Sequence, residues 1–462
     1  MTYRHTEDTD QTICAISTPP GVGGIAVVRV SGSKAIDIVE KIWQGKPLEA
    51  MKSHTAHLGT VLDSHSQPLD QCVITLYLAP ASFTGENVVE IAVHGSRYVQ
   101  RELLQSLITA GARLAYPGEF TRRAFVAGKM DLAQAEAVAD VIASDSRAAH
   151  RLAMTQMRGG YSQRLAELRE KLLELASLLE LELDFSEEEV EFASRMHLLE
   201  IAREIHTEVT RLHKSFVGGT AIKDGIPVAI AGATNAGKSS LLNALLGDDR
   251  AIVSNIHGTT RDIVEDSIEI GDYKFRFMDT AGLRNTSDKI EQIGIERSHK
   301  AIRQARIVIL VVDPANETNA TLYRELIQET AANESTLIVA LNKSDIHPDI
   351  TPAYLKEATH LHRISCHTAQ GIDTLRSSLE TIADSQSDNG ADILVTNARH
   401  AEILAKAQDS SHRIIQGLES NLSGDFIAQD VRETIHHLGA ITGTITTTDI
   451  LTTIFSRFCI GK

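Results

Sequence analysis

Cysteine is scarce in this chain, and its spacing fits neither a metal site nor a disulfide framework. The 462 residues contain four cysteines and no Cys-x-x-Cys pair; the four are Cys14, Cys72, Cys366 and Cys459. Scattered cysteines of this kind are typical of a reduced, cytosolic protein without a zinc site. The neighbouring His436 and His437 lack the i,i+4 spacing of a metal-binding pair on a helix.

Long apolar runs are missing as well. The most apolar stretch, residues 307–312, is far shorter than the roughly 20 residues that span a bilayer. The first eight residues, MTYRHTED, contain no apolar core of a secretory signal. The sequence therefore predicts a cytoplasmic protein that does not cross a membrane.

Basic residues are in deficit. Against 61 acidic residues there are 45 lysines and arginines, which gives a formal net charge of −16. The overall field of such a protein repels nucleic acid. If RNA is a partner, a local basic patch or a second protein must carry it. The length of 462 residues predicts two to four domains.

A phosphate-binding loop is the most informative pattern that is present. Residues 232–239 read GATNAGKS, between an apolar segment that predicts a strand (226–231) and one that predicts a helix (238–246). Gly232 and Gly237 allow a tight turn whose backbone N–H groups point at phosphate oxygens. Lys238 brings charge to the phosphates, and the Ser239 hydroxyl is a Mg²⁺ ligand. A plain glycine-rich turn is the alternative, and the strand–loop–helix order argues against it.

Two further segments follow predicted strands in the order expected of a GTPase. Residues 279–282 (DTAG) suit contacts to Mg²⁺ and a γ-phosphate, and residues 342–345 (NKSD) have the guanine-reading pattern Asn-Lys-x-Asp. The Asp345 carboxylate accepts two hydrogen bonds that guanine offers and adenine does not. An unpaired buried acceptor costs about 1–3 kcal/mol, so adenine is rejected. Alone, residues 342–345 would equally suit a polar turn.

Strands and helices alternate through this region. That order predicts a parallel, doubly wound sheet with ligands at the carboxyl ends of its strands. Residues 365–367 (SCH) stand where GTPases usually carry Ser-Ala-Lys or Ser-Ala-Arg, so the basic residue is missing. The predicted GTP contacts are Asn235, Ala236, Gly237, Lys238, Ser239, Ser240, Ser254, Thr259, Thr260, Asp279, Thr280, Ala281, Gly282, Asn342, Lys343, Asp345 and Ser365.

Hydrolysis cannot use the glutamine of Ras-like proteins, because Leu283 occupies its place. Glu291 is the candidate that polarises the attacking water. Read by itself, Glu291 fits better as an acidic residue at the start of a helix. Residues 254–262 are the candidate for a switch loop that closes over Mg²⁺. Asn235 either helps to hold a monovalent cation that stabilises developing charge, or is a turn residue that tolerates left-handed geometry.

The flanking regions predict two further domains. Residues 1–125 alternate short β-like runs with helical stretches, as at 34–43 and 101–110, which indicates an α/β or α+β domain. Residues 126–220 and 384–462 are helical and are expected to pack together as one discontinuous domain, with a Ras-like GTPase domain (221–383) inserted. The last four residues are CIGK, and Cys459 is either a reactive thiol at a surface or part of a frayed terminus.

Taken together, these patterns resemble the MnmE (TrmE) family of tRNA modification GTPases over essentially the whole chain. The resemblance rests on residues 18–21 (TPPG), 83–86 (FTGE), 117–121 (PGEFT) and 131–137 (DLAQAEA), and above all on the ending CIGK. It implies a cytoplasmic homodimer formed through a folate-binding N-terminal domain. It also implies a partner that uses FAD and NADH, joined in a heterotetramer, and modification of the 5-position of the wobble uridine of tRNAs.

The resemblance further implies GTP, Mg²⁺, K⁺ and 5-formyl- or methylene-tetrahydrofolate as cofactors. By matching positions, Mg²⁺ is assigned to Ser239 and Thr260, and K⁺ to Asn235, Thr259 and the backbone of Ser254 and Ile256. Folate is assigned to Arg29, Glu90, Lys129 and Lys462. Glu291 becomes the catalytic acid–base residue, and Cys459 a tail thiol that takes part in modification.

Some positions depart from the family pattern. Thr234 replaces a common proline in the phosphate loop, His257 replaces a small residue in the switch loop, and Cys366 and His367 depart at the last nucleotide-binding segment. None of these changes removes a phosphate, magnesium or guanine contact. The alternative function is a GTP-controlled switch, like ribosome-assembly GTPases, without modification chemistry. The N-terminal region and the CIGK ending favour the enzyme.

Overall fold

The structure, a computed structural model, describes residues 11–184, 195–247, 266–278, 300–315, 319–356, 358–387, 393–456 and 458–461. The chain forms two compact units. The first comprises residues 1–139, 156–192 and 423–462, and the second comprises residues 140–155 and 193–422.

The strands are β1 Ile13–Ile16, β2 Gly23–Ser31, β3 Trp43–Gln44, β4 Thr55–Leu62, β5 Pro68–Tyr77, β6 Val88–Gly95, β7 Arg113–Leu114, β8 Ile226–Gly232, β9 Asp266–Ile270, β10 Tyr273–Phe277, β11 Ile307–Val312, β12 Thr336–Leu341 and β13 Leu361–Arg363. The helices are α1 Ala35–Glu40, α2 Arg97–Ala110, α3 Glu119–Val126, α4 Leu132–Ala143, α5 Arg147–Met157, α6 Gly160–Asp184, α7 Arg195–Asp224, α8 Lys238–Leu246, α9 Asn319–Ala332, α10 Ile372–Ser387, α11 Ala398–Glu419, α12 Gly424–Thr442 and α13 Thr448–Phe455.

The first unit is built on a seven-stranded sheet in the order β3-β4-β5-β6-β2-β1-β7. Neighbouring strands are antiparallel except β1 and β7, which run parallel. Side chains alternate between the two faces of a strand. In β5, for example, Cys72, Ile74 and Leu76 are buried in the core that α1 and α2 help to form, whereas Val73 between them is exposed.

The other helices of the first unit pack in two groups. Helix α6 packs along α12, and α13 packs on α3. A small apolar cluster that includes Leu132, Ala135 and Phe455 joins α13 to the start of α4.

The second unit is built on a six-stranded sheet in the order β13-β12-β11-β8-β10-β9. All neighbouring strands are parallel except β9 and β10. Every residue of β11 is buried, as expected for a central parallel strand covered on both faces. One apolar cluster contains Ile307 and Ile309, and another contains Val308 and Leu310, so helices cover both faces. This is the predicted doubly wound architecture.

The helix α7, which precedes this sheet, packs along α11, which follows it. Gly219 of α7 also lies close to the segment that leads into α11. A Cβ on Gly219 would overlap the carbonyl of Val395, so a larger residue would force the two apart. Helices before and after the sheet thus pack together, and the predicted multidomain fold class is confirmed. The predicted domain boundaries remain a prediction.

One local expectation was wrong. The apolar spacing of residues 34–43 suggests a single helix, but α1 ends at Glu40 and Trp43 lies in β3. The indole of Trp43 lies against Gly59 of β4, where a Cβ would overlap the ring. Burial of this large side chain over a glycine outweighs the helical pattern. Helix α2 also begins at Arg97, earlier than residue 101.

Candidate functional site

The phosphate loop connects β8 to α8, as predicted. Three of its residues have a positive φ that side chains disfavour: Gly232 with 149°, Asn235 with 63° and Gly237 with 105°. At Gly237 a Cβ would also overlap the side-chain nitrogen of Asn342. Glycine at this position is therefore required by both backbone geometry and space.

Lys238 lies at the first position of α8, with its ammonium folded over the loop. Its Nζ donates to the carbonyls of Gly232 and Ala233 at 2.8 and 2.9 Å. Burial lowers the pKa of the Lys238 ammonium below its ordinary value. Positive charge over a loop at a helix N-terminus suits bound phosphate.

Asn342 joins three segments that the sequence assigns to nucleotide binding. It follows β12, and its Nδ2 donates to the carbonyl of Ala236 in the phosphate loop at 2.9 Å. Its Oδ1 accepts from the backbone N–H of Cys366 at 3.1 Å. Three segments that lie far apart in the sequence therefore meet at the carboxyl edge of the sheet, as predicted for a doubly wound fold.

The segment after β13 is ordered by its own hydrogen bonds. The buried Ser365 donates its backbone N–H to the carbonyl of Gln370, and its Oγ accepts from the N–H of Thr368. Burial, and next the nearby Asp345 carboxylate, raise the pKa of the Cys366 thiol to about 11. The thiol is thus neutral at physiological pH. Asp345 itself is exposed, where its carboxylate is open to a ligand.

A second polar site lies on the sheet of the first unit. Arg29 and Glu90 are opposite one another on β2 and β6, and the Arg29 guanidinium donates to Oε1 of Glu90 at 2.7 Å. The guanidinium carbon also lies 5.5 Å from the ring centroid of Phe83 and 5.7 Å from that of Phe120. Both separations are within the usual range of cation–π contacts.

A buried ion-pair network fixes the segments that carry these two rings. Arg123 donates to Glu86, on the segment of Phe83, at 3.0 Å, and to Glu119, beside Phe120, at 2.9 Å. Burial alone would raise the pKa of Glu119. Hydrogen bonds from Arg113 and from the Tyr116 N–H, with the charges of both arginines, outweigh it, and the pKa is lowered.

The other predicted folate residue that is described, Lys129, lies near the same segment. A Cβ added to Gly85 would lie 3.4 Å from Cε of Lys129. The end of the described chain contacts the residue that follows β1, because Ser17 Oγ donates to the Gly461 carbonyl at 3.1 Å. The carbonyl of the exposed Cys459 accepts from the N–H of Gly118, in the turn that precedes Phe120.

Comparison with known proteins identifies the family. The family model described as the MnmE helical domain matches residues 132–459, and the model described as the GTP-binding protein TrmE N-terminus matches residues 12–129. The chain belongs to the MnmE family of tRNA modification GTPases. The tRNA modification GTPase MnmE of Parabacteroides distasonis is 51% identical over 98% of this chain and 100% of its own length. The tRNA modification GTPase MnmE of Bacteroides thetaiotaomicron is 48% identical over 98% of this chain and 99% of its own length.

Among solved structures, the G domain of the FeoB iron transporter of T. maritima is 26% identical. It covers 34% of this chain and 98% of its own, with a TM-score of 0.26.

These comparisons confirm two predictions from the sequence: the resemblance to the MnmE family, and a GTP-hydrolysing enzyme. Among the described residues, no helix is long and apolar enough to cross a membrane. Several predicted site residues lie outside the described residues: Ser254, Ile256, Thr259, Thr260, Asp279, Thr280, Ala281, Gly282, Glu291 and Lys462. Their roles remain predictions, as do the assignments of ligands to the described residues.

Sequence reasoning about this MnmE family member missed Asp313, whose carboxylate lies 2.6 Å from Nζ of Lys343. The available signal was its position, directly after the apolar strand β11, where ligand-binding side chains of parallel sheets are found. Sequence reasoning also missed Arg123, because the apolar spacing of a helix does not show that this residue pairs with Glu86 and Glu119.

Proposed function

We propose that this chain binds and hydrolyses GTP and, with an FAD-dependent partner, modifies the 5-position of the wobble uridine of tRNAs. The observation that carries the proposal is near full-length similarity to proteins named tRNA modification GTPase. The modification is carboxymethylaminomethyl or aminomethyl, with the one-carbon unit drawn from a tetrahydrofolate.

Guanine recognition is assigned to the Asp345 carboxylate. It follows β12 in the loop that Asn342 ties to the phosphate loop, and it is exposed to a ligand. Guanine presents two N–H donors to one carboxylate, whereas adenine would leave an acceptor unpaired. The nucleotide thus lies with phosphates at α8 and base at the end of β12.

Magnesium is assigned to Ser239 and Thr260, because hydroxyl oxygens suit this hard cation. Ser239 fits the role, since it lies in the first turn of α8 beside Lys238. Potassium is assigned to Asn235, Thr259 and the backbone of Ser254 and Ile256. Asn235 is exposed in the phosphate loop with its backbone in left-handed geometry. A bound cation there would neutralise charge that develops on the phosphates.

The cation assignment has its own test. Hydrolysis should slow strongly when Na⁺ replaces K⁺ at equal ionic strength, with Mg²⁺ held constant. Equal turnover in both salts would contradict the potassium site while leaving GTP binding unaffected.

The tetrahydrofolate is assigned to the site around Arg29 and Glu90. A pterin carries N–H donors on one edge, which suit the Glu90 carboxylate, and its flat ring suits the aromatic rings of Phe83 and Phe120 beside Arg29. Lys129 near Gly85 offers positive charge to the carboxylates of the folate tail, and Lys462 is assigned the same role. Cys459 is assigned as a tail thiol, and its carbonyl accepts from the N–H of Gly118, two residues before Phe120.

The homodimer is supported by an apolar stripe on the open face of the first sheet. Leu58, Val73, Ala92 and Val27 lie in register across β4, β5, β6 and β2. Leu58 is 66% exposed and Val73 38% exposed. Exposed apolar surface of this kind is typical of a protein interface. Arg29 lies two residues beyond Val27, on the same face, so a second copy on the stripe would border the folate site.

The modification is tested by mass spectrometry of wobble nucleosides from cells with and without the gene. Loss of the 5-substituted uridines without the gene, restored by the intact chain, is the expected result. Unchanged nucleosides, together with normal GTP hydrolysis by the isolated protein, would instead indicate a GTP-controlled switch.

A further inference from the structure

Lys343 of the Asn-Lys-x-Asp segment is held by a carboxylate from the neighbouring strand. Its Nζ lies 2.6 Å from Oδ2 of Asp313. Asp313 directly follows β11, and Lys343 follows β12 by two positions. The two strands pair in parallel with Val312 opposite Leu341. The register of the sheet therefore brings the two side chains together.

Asp313 is itself fixed and charged. Its Oδ1 accepts from the backbone N–H of Ala315 at 3.1 Å. Burial alone would raise the pKa of Asp313, but the hydrogen bonds from Lys343 and Ala315 outweigh it, and the pKa is lowered. The Asp313 side chain is only 16% exposed and that of Lys343 is 38% exposed. This pair is thus more shielded than a surface salt bridge.

The backbone around Lys343 needs such an anchor. Its φ is 62°, left-handed geometry that is unfavourable for a residue with a Cβ. Such conformations persist where surrounding contacts hold them. Here Asn342 N–H donates to the Val312 carbonyl at 2.8 Å, and the Lys343 carbonyl accepts from His347 N–H at 3.0 Å. The Asp313 carboxylate adds the only side-chain anchor that the described residues show for Lys343.

We propose that Asp313 is a positioning residue for guanine nucleotide, which acts through Lys343 to hold the loop of residues 342–345 ready to bind. Without this anchor, the Lys343 side chain and the strained backbone beneath it are freer before binding. Nucleotide binding must then order them, which weakens affinity. This inference rests on the proposed assignment of guanine nucleotide to that loop.

The test is a double-mutant cycle on the full chain, read out as the Kd for GDP. Asp313→Asn keeps the shape and the acceptor for Ala315 while removing the charge. Lys343→Met removes the ammonium and keeps the stem. Asp313→Asn is expected to weaken GDP binding about tenfold, the usual effect of losing one charge-assisted hydrogen bond. On the Lys343→Met background, the same change is expected to cost less than about twofold.

Two results would overturn the proposal. One is an Asp313→Asn variant that binds GDP as tightly as the unmodified chain. The other is an undiminished loss on the Lys343→Met background, which would mean that Asp313 acts on the fold rather than through Lys343. Asp313→Ser repeats both comparisons if the asparagine variant does not fold.

Glu329→Gln is the matched control. Glu329 pairs with Arg303 in the same unit, in a bond of 3.2 Å with Arg303 71% exposed. Its loss should leave the Kd for GDP within twofold. Failure of the unmodified chain to bind GDP at all would contradict the proposed function itself. If the unmodified chain binds GDP and Asp313→Asn leaves the Kd unchanged, only the positioning role is contradicted.

Discussion

The side-chain amide of Asn342 donates to the carbonyl of Ala236 at 2.9 Å, so the loop assigned to the base is fastened to the loop assigned to the phosphates. The same side chain accepts from the N–H of Cys366. Asn342 is 4% exposed, so in the intact protein water competes little for these bonds.

Asn342→Ala should therefore impair both binding and stability. The buried carbonyl of Ala236 and the N–H of Cys366 would lose their partner, at about 1–3 kcal/mol each. We expect GDP affinity to fall at least about tenfold and the free energy of unfolding to fall by at least about 2 kcal/mol. Titration of GDP and urea denaturation measure the two effects. The exposed Asn333 provides the control, since Asn333→Ala should change neither; equal behaviour of the two variants would contradict the bridging role.

Gly237→Ala should abolish nucleotide binding. A Cβ would meet the Asn342 side chain, and the φ of 105° adds strain of about 1–3 kcal/mol. Gly128 is a matched control, because its φ is also positive, at 67°, but a Cβ there meets nothing within 4 Å. Gly128→Ala should cost about 1 kcal/mol of stability and leave GDP affinity unchanged. If both variants bind GDP normally, the tight approach in the phosphate loop is irrelevant to binding.

Glu291→Gln tests the assigned acid–base residue. It should leave GTP affinity within about twofold and reduce the hydrolysis rate by about 10²-fold or more, the usual contribution of a general base. Single-turnover hydrolysis, measured beside equilibrium GTP binding, separates the two. A collapse of affinity would show that Glu291 is structural, in line with the alternative of an acidic residue at a helix start.

Arg29→Gln should weaken reduced-folate binding by about tenfold or more, because it removes the charge between Phe83 and Phe120 and leaves Glu90 without its ionic partner. Arg101 is a fitting control, since it also lies over an aromatic ring, Tyr98, but is 72% exposed. Calorimetry with 5-formyltetrahydrofolate should show full binding by Arg101→Gln. An Arg29→Gln variant that binds as well would move the folate site elsewhere.

Glu119 should make stability depend on pH in the acid range. Its folded pKa is lowered, so its stabilising effect is complete above the ordinary value of 4.5 and is lost as the pH falls through the folded pKa. Glu119→Gln should lower the urea midpoint clearly at pH 7, with a smaller difference from the unmodified chain at pH 4. The exposed Glu180, 3.9 Å from Arg432, is the control, and Glu180→Gln should have little effect at either pH. A Glu119→Gln deficit that is constant with pH would contradict the ionic explanation.

Local patterns predicted the parts of the fold that local physics determines. The strand, loop and helix around Lys238 follow from an apolar run, two glycines and helix-forming residues. Each of these signals is contained in a few consecutive residues of the sequence. Trp43 was different, because its place in β3 depends on Gly59 of the next strand. The Asp313–Lys343 pair likewise depends on which strands lie side by side, and parallel neighbours are not adjacent in the sequence.

Binding of GDP and ADP to the unmodified full-length chain, compared by calorimetry in K⁺ and Mg²⁺, tests the central claim most directly. The account predicts heat from GDP at micromolar concentrations and none from ADP under the same conditions. Equal binding of both nucleotides, or binding of ADP alone, would contradict guanine recognition by Asp345 and the enzyme built on it.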